Sequence, residues 1–464
     1  MKTSLPAIAF VGLMTSNAMA ATPLNVQFAN QTGMTDDKVF ITAQNRAAGV
    51  TDTNITYAGG TKLAFGQTGG TTNIMSSSVS LQTIGKGGLT VNFLDGGIIF
   101  VSYGAALTAT NSVPSFVGKG GPDYGTRFQS FELTMVGGNG NQGNMTAINY
   151  FTVPMGIKSY HGGTGGTLLQ SARYNQDAAA IAKLMEGLTN NNPASVIKNT
   201  SGEIIRYIGP SSFGPADANP FPSFQPYLKA IMAARQTTAI QNHDAFNQPA
   251  SGGAGSINYD FTLNLKATVA ATAIQMEGNI TTSVIEYGKS AKPGPTFDNC
   301  SVTIDTTNDA ALNFVIYGQA INAGTVKFGP GWDKLGAYIK EIKIDNQGAF
   351  NTTQNLGIGE ITSGLVMGFV NSPTVPQGQK VALKDMPSGD WWKLKPVIAF
   401  SGVQTNPAYY NQYANVLYNA SGNEIYSIPY SDRLGSGPLI DSVLHKNVSV
   451  DTWVLTLEPP VPAK

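Results

Sequence analysis

Arg127-Phe128-Gln129-Ser130-Phe131-Glu132-Leu133-Thr134-Met135-Val136 alternates with a period of two. Phe131, Leu133 and Met135 fall on one side, and Phe128, Ser130, Glu132 and Thr134 on the other. Such alternation predicts a β-strand with one face in a core and the other turned away from it. Glu132 then projects among Ser and Thr, away from the main apolar face. A carboxyl group there is either an ordinary solvated strand residue or part of a neutral, sugar-accepting groove. The second use is chemical, since glycoside hydrolysis needs a protonatable carboxylic acid beside the leaving oxygen.

Outward from this strand, residues 22–160 keep the same texture. Stretches 24–28, 38–43, 89–94 and 97–103 are short, rich in β-branched and aromatic residues, and divided by Gly, Asn and Asp clusters. That spacing predicts a sandwich or barrel. Between about 168 and 390 the period changes. Residues 177–188 and 226–236 carry apolar side chains at helical spacing, whereas 259–271 alternate like a strand. Strand-like stretches resume at 395–402, 413–418, 424–429 and 448–458. The expected architecture is mainly β with an inserted α/β domain. Residues 1–20 read as a signal peptide, 21–168 as the first part of a β-barrel or sandwich domain, 169–388 as a mixed α/β domain, and 389–464 as the C-terminal part of the β domain.

Only 12% of the 464 residues are charged, and 28 Lys plus Arg balance 28 Asp plus Glu. A nucleic-acid footprint or a polybasic membrane surface needs a concentrated excess of cations, so both are excluded as expectations. Lys2, the apolar stretch 5–14 and the small-x-small triplet Ala18-Met19-Ala20 make a secretory signal with cleavage near Ala20. The expected location is extracellular or periplasmic, and no later segment is long and apolar enough to span a membrane. The single cysteine, Cys300, precludes an intrachain disulfide. It lacks a Cys/His nucleophile signature and reads as a buried, inert thiol rather than a nucleophile. His161, His243 and His445 lie far apart in sequence and make no ligand cluster, so neither a metal nor another cofactor is expected. Residues 138–143 match the bare G-x-G-x-x-G pattern, but a strand rather than a helix is predicted at 148–155. A pyrophosphate site needs a helix N-terminus there, so the stretch reads as a hairpin loop.

Phe131-Glu132-Leu133-Thr134, followed by residues 144–155 (NMTAINYFTVPM), resembles the paired segments F-E-[FL]-T and N-[IT]-[ST]-x-V-D-x-x-G-[FL]-P of glycoside hydrolase family 64, the thaumatin-like endo-β-1,3-glucanases. Residues 97–104 (GIIFVSYG) resemble the family's R-[IV]-Y-F-S-x-G strand, and 204–210 (IIRYIGP) its P-[LI]-R-I-V-[AS]-P segment. Residues 411–417 (NQYANVL) and 425–432 (IYSIPYSD) resemble its C-terminal N-x-Y-A-[KR]-x-[LV] and Y-[AG]-F-[PA]-[FY]-D-D motifs. The order is preserved across most of the chain.

The resemblance implies a thaumatin-like β-barrel domain and an α/β domain flanking a wide groove for β-1,3-glucan, cut with inversion. It also implies two carboxylates. The family's general acid matches Glu132, while its general base, the Asp of V-D, falls on Asn149. An amide is a negligible base near neutral pH, and losing general-base assistance typically costs about 10²–10⁴ in rate. Two further departures are Ser431, where the family has the first Asp of its D-D pair, and residues 327–370, which match none of its motifs. Asn149 is expected on the strand neighbouring Glu132, across from its face.

Thr134, Trp391, Trp392, Tyr410 and Asp432 are the candidate substrate-binding residues. Trp391 and Trp392 would point to opposite faces of a strand, one free to stack on a pyranose and the other packed in a core. Tyr409, Tyr410 and Tyr413 carry the same ambiguity. Asp123 reads as a turn cap or as a substitute base. The leading expectation is therefore an exported β-1,3-glucan hydrolase without cofactor. The alternatives are a non-catalytic glucan-binding protein and a structural or adhesive surface protein on the same scaffold.

Overall fold

The computed structural model describes residues 22–45, 55–65, 74–108, 114–117, 120–136, 141–190, 192–241, 246–249, 257–286, 290–342, 346–394, 397–430 and 438–460. These fall into two compact units, one within 22–212, 416–427 and 438–460, the other within 213–415 and 428–430. The divisions at 212/213 and 415/416 differ from the period changes at 168 and 389. The expected signal peptide lies outside the described residues.

The first unit is built on two open seven-stranded sheets. One runs Thr167–Arg173, Met155–His161, Thr452–Leu457, Leu24–Asn30, Leu89–Val91, Ile55–Tyr57, Thr61–Lys62. Its middle is the C-terminal strand Thr452–Leu457, parallel to Leu24–Asn30 and antiparallel to Met155–His161. The other runs Ile440–Asp441, Gln142–Met145, Arg127–Met135, Leu94–Tyr103, Val39–Asn45, Ile74–Met75, with Val79–Ser80 also on Val39–Asn45. Trp453, Leu455 and Leu457 from the first sheet are fully buried, as are Phe131, Leu133, Met135, Ile99 and Val101 from the second. The Trp453 indole fills the space above Gly143, where a Cβ would sit 2.7 Å from the ring and 2.2 Å from the Glu132 carbonyl oxygen. Only a residue without a side chain allows that approach. Neither sheet closes into a barrel among the described residues. A barrel needs its edge strands to pair, and three of the four edges here are only two residues long.

The helix Ala178–Thr189 belongs to this first unit. Its start is fixed by Asp177, which accepts a 2.8 Å bond from Ala180 N, and Ala178, Ile181, Ala182 and Met185 give its buried stripe. The strand expected at 148–155 is broken. Tyr150–Phe151 joins a small sheet with Ile204–Ile208 and Val196–Lys198, and the chain enters the large sheet only at Met155.

The second unit carries one seven-stranded antiparallel sheet. Its centre is the long hairpin Ile257–Val269 with Ala273–Glu286, flanked by Thr237–Gln241, Val302–Asp305 and Val326–Phe328. The helix Asn346–Val366 packs on this sheet and against Asp309–Gly318 and Pro330–Glu341. Pro330–Glu341 and Asn346–Val366 lie in the stretch 327–370 that resembles none of the family motifs.

Three strand expectations near the C-terminus are corrected. Of the stretch 395–402 the described residues 397–402 hold no strand and end in a single 3-10 turn, 424–429 form only an isolated bridge at Tyr426, and 413–418 lie in the α-helix Gln412–Ser421. Tyr413, Ala414, Val416, Leu417, Ala420 and Ser421 are its buried residues, a helical spacing, and Asn411 Oδ1 accepts from Ala414 N at 3.1 Å as its cap. No helix among the described residues is long and apolar enough to cross a membrane.

Candidate functional site

Glu132 sits near the C-terminal end of Arg127–Met135, on the face turned away from the sheet-to-sheet core. That face is closed at one end and opens toward the other. Phe128 is fully buried and Ser130 nearly so, under Tyr150 and the Arg206 guanidinium, whereas Glu132 and Thr134 are half-buried. Phe128 packs edge-on against Phe100 and Tyr150. Arg206 lies 4.0 Å over the Phe128 ring and donates to the carbonyls of Phe116, Tyr124 and Thr126. This aromatic and cationic plug covers one end of the face, which leaves the carboxyl group of Glu132 at its margin.

Across the strands, Glu132 is in register with Ile98 on one side and Asn144 on the other. Asn144 is 4% exposed, and its Nδ2 donates to Glu132 Oε2 at 3.1 Å. Residues directly opposite in an antiparallel pair share a face, so Gln142, two positions from Asn144, lies on the same face. Gln142 is in register with Asp441 and donates from Nε2 to Asp441 Oδ1 at 3.0 Å. Asp441 Oδ2 receives a 2.8 Å bond from His445 Nδ1, which must carry the proton because an ionised carboxylate only accepts. Glu132, Thr134, Asn144, Gln142 and Asp441 thus form a polar row on one sheet face, with His445 attached at its end.

Asn149 is not on the neighbouring strand. Gln142–Met145 ends before it, and the residue facing Glu132 is Asn144. Asn149 lies in the bend that carries the chain into Tyr150–Phe151. Its Oδ1 accepts from Ser211 Oγ at 3.3 Å, and its carbonyl accepts from Gly209 N and Ser212 Oγ. The physical reason is Tyr150, whose hydroxyl reaches back to Ser130 at 2.9 Å and draws the chain over the sheet instead of along it.

The remaining candidates are dispersed. Trp391 and Trp392 are each 2% exposed and follow one another in a helical turn, not a strand, with ring planes at 90°. Trp391 Nε1 donates to Leu383 O and Trp392 Nε1 to Glu360 Oε2, so both indoles are bonded inside the second unit. A Cβ at Gly364 would come within 2.4 Å of the Trp391 ring, which shows how closely that ring is enclosed. Tyr410 packs edge-on to Phe400, Tyr413 to Phe221, and Tyr409 stacks on Tyr227 at 4.7 Å. Asp432 lies outside the described residues. Asp123 lies in a turn, and its carboxylate accepts from Thr108 N and Thr108 Oγ1, fifteen residues earlier in the chain. Cys300 is fully buried, and burial pushes its thiol up to about 11, which leaves almost no thiolate near neutral pH. Among the described residues no three His, Cys, Asp or Glu side chains converge on one point.

Sequence reading missed Asn144, Gln142, Asp441 and His445. Asn144 and Gln142 carry a local signal, since they alternate on a strand beside Glu132. Asp441 carries none, because it reaches the row through pairing between segments about 300 residues apart.

A family model described as β-1,3-glucanase matches residues 22–271. No curated protein sequence matches the chain. Among solved structures, a laminaripentaose-producing β-1,3-glucanase in complex with laminaritetraose is similar at 14% identity and a TM-score of 0.53, over 95% of this chain and 99% of that one. That likeness shows a shared fold. A β-1,3-glucanase domain from Clostridium beijerinckii aligns at 12% identity and a TM-score of 0.49, over 96% of this chain and 100% of that one. With Glu132 standing in an F-E-L-T strand on an open sheet face, and with the family model covering more than half of its length, the chain belongs to glycoside hydrolase family 64.

Proposed function

We propose that the protein is an exported β-1,3-glucan hydrolase of the inverting type, with Glu132 as the general acid. The observation that carries this reading is the half-exposed carboxyl of Glu132 on the open end of the sheet face, inside the segment that matches the family. The chemistry follows from that position. The acid gives its proton to the glycosidic oxygen as the bond to the anomeric carbon breaks, and the neutral hydrogen-bonding groups beside it, Thr134, Gln142 and Asn144, suit sugar hydroxyls. Asn144 serves Glu132 in both protonation states. Its amide N–H donates to the carboxylate, and the same amide turned over offers its oxygen to the carboxylic acid.

Asn149 occupies the family's base position in sequence with a group that takes no proton near neutral pH. That feature favours a second reading, a glucan-binding protein that cuts no bond. The two are separated by laminarin hydrolysis. Wild-type turnover that falls by about 10² or more in Glu132→Gln, with the fold intact by circular dichroism, is the expected outcome. Turnover unaffected by that substitution overturns the assignment of Glu132. No turnover, with retention on insoluble β-1,3-glucan, establishes the binding protein instead.

A further inference from the structure

We infer that Asp441 is the second carboxylate of the site and takes the proton from the attacking water. The inference rests on the reading of Glu132 as general acid, and it fills the role that the amide of Asn149 leaves empty. Asp441 lies outside residues 22–271, the part of the chain that matches the family model.

The argument is one of placement. Asp441 and Glu132 sit on strands that flank Gln142–Met145 on opposite sides, and both face the same way. Each carboxylate leans toward the strand between them, Glu132 to Asn144 at 3.1 Å and Asp441 to Gln142 at 3.0 Å. Gln142 and Asn144 are two residues apart on one strand, about 6.8 Å, and the flanking strands lie two strand spacings or about 9.6 Å apart, so the Cα atoms of Glu132 and Asp441 are about 12 Å apart and the inward lean of both side chains brings the carboxylates to about 8–10 Å. Inversion requires roughly 6.5–9.5 Å, the room for one water and one anomeric carbon.

Asp441 is also prepared for the task. Its Oδ1 is held by Gln142 and its Oδ2 by His445 Nδ1 at 2.8 Å, while its main-chain N–H donates to Gln170 Oε1 and its carbonyl accepts from Trp453 Nε1. Each oxygen of a carboxylate has two lone pairs, so these bonds leave one on each for a water molecule. His445 and Gln142 act as positioning residues that fix the rotamer. The side chain of Asp441 is 18% exposed, enclosed by its partners yet reached by solvent.

In the step, a water oxygen bonds to the anomeric carbon from the face opposite the leaving group, and Asp441 takes one water proton. The bond to the leaving oxygen breaks with its electron pair, and that oxygen receives the proton of Glu132. The products are a sugar of inverted configuration and a free hydroxyl on the leaving chain. Glu132 ends ionised and Asp441 protonated, and exchange with solvent restores both.

The test is steady-state hydrolysis of laminarin by wild type, Asp441→Asn, Asp441→Gly, His445→Gln and Asn149→Asp. Asp441→Asn should lower kcat by about 10² or more with KM within threefold, and His445→Gln should lower kcat by about tenfold with the same KM. Sodium azide should accelerate Asp441→Gly and yield an α-glycosyl azide, because a small anion in the vacated space needs no base. That acceleration is a ratio within one sample and survives partial misfolding. Asn149→Asp should leave kcat within threefold. A rise in KM at constant kcat in Asp441→Asn, absence of azide rescue, or a hundredfold gain in Asn149→Asp would each overturn the assignment while leaving the hydrolase reading standing. A wild type that cleaves no β-1,3-glucan overturns both.

Discussion

Arg206 lies within the family-like segment 204–210, and its structural role explains an arginine there. It is fully buried with backbone carbonyls as its acceptors, and burial pulls its guanidinium down to about 10, which still leaves it charged at neutral pH. Three carbonyls from residues 116–126 accept its protons, and the Phe128 ring lies beneath it. The charge is thus solvated by backbone oxygen instead of water. Arg206→Leu removes the donors and leaves the acceptors buried, at about 1–3 kcal/mol for each oxygen left unpaired. A net loss of about 3–5 kcal/mol in guanidinium unfolding is expected, enough to threaten a domain whose total stability is about 5–15 kcal/mol. Lysine, a point donor without the planar fork, should recover only part of it.

At the scale of elements, the hairpin Met155–His161 with Thr167–Arg173 is held at its turn from a distant strand. Asp451, just before Thr452–Leu457, accepts from Gly162 N and Gly163 N at 2.6 and 3.0 Å and from Thr452 Oγ1 at 2.9 Å. Burial alone would raise its pKa, but these donors and the nearby His161 outweigh it and hold the carboxyl below its ordinary value. A carboxylate depressed in the folded state adds stability above its unfolded pKa, and that stability is lost as the pH falls through the folded value. Asp451→Asn should therefore cost about 1 kcal/mol near pH 6, and the difference from wild type should shrink and vanish as the pH falls below the ordinary carboxylate range. Thermal unfolding of both proteins from pH 2 to 7 measures it. A gap that persists at the acid end would place the effect in packing and not in charge.

Over the whole chain, the first unit depends on both ends of the sequence. Thr452–Leu457 lies inside its sheet, not at an edge, so deleting residues 448–464 unpairs the strands on both sides. It also removes Trp453, Leu455 and Leu457, each fully buried and each worth about 1.5–3 kcal/mol. That sum approaches the entire net stability of a domain, so the truncated chain should lose its near-ultraviolet circular dichroism and bind a hydrophobic dye. A truncated protein with an unchanged spectrum would show that the parallel pairing is dispensable.

The sequence by itself determined the local terms: the two faces of the Glu132 strand, the helix begun by Asp177, the long strand ending at Val269, and a family whose motifs survive in order. These are periodicities of two and 3.6 and short-range caps, which neighbouring residues encode without help from the rest of the chain. Residues 413–418 read as a strand, though they lie in a helix, because Tyr, Val and Leu suit either state over so short a run. The choice fell to burial at helical spacing, which takes Tyr413, Leu417 and Ala420 out of water. Only the tertiary structure decided which side chains share a face with Glu132. It turned Asn149 away through a bond between Tyr150 and Ser130, and it brought Asp441 and His445 to the row through strand pairing. Such pairing is selected by the burial of whole sheet faces, a sum over the molecule that no single stretch of sequence records.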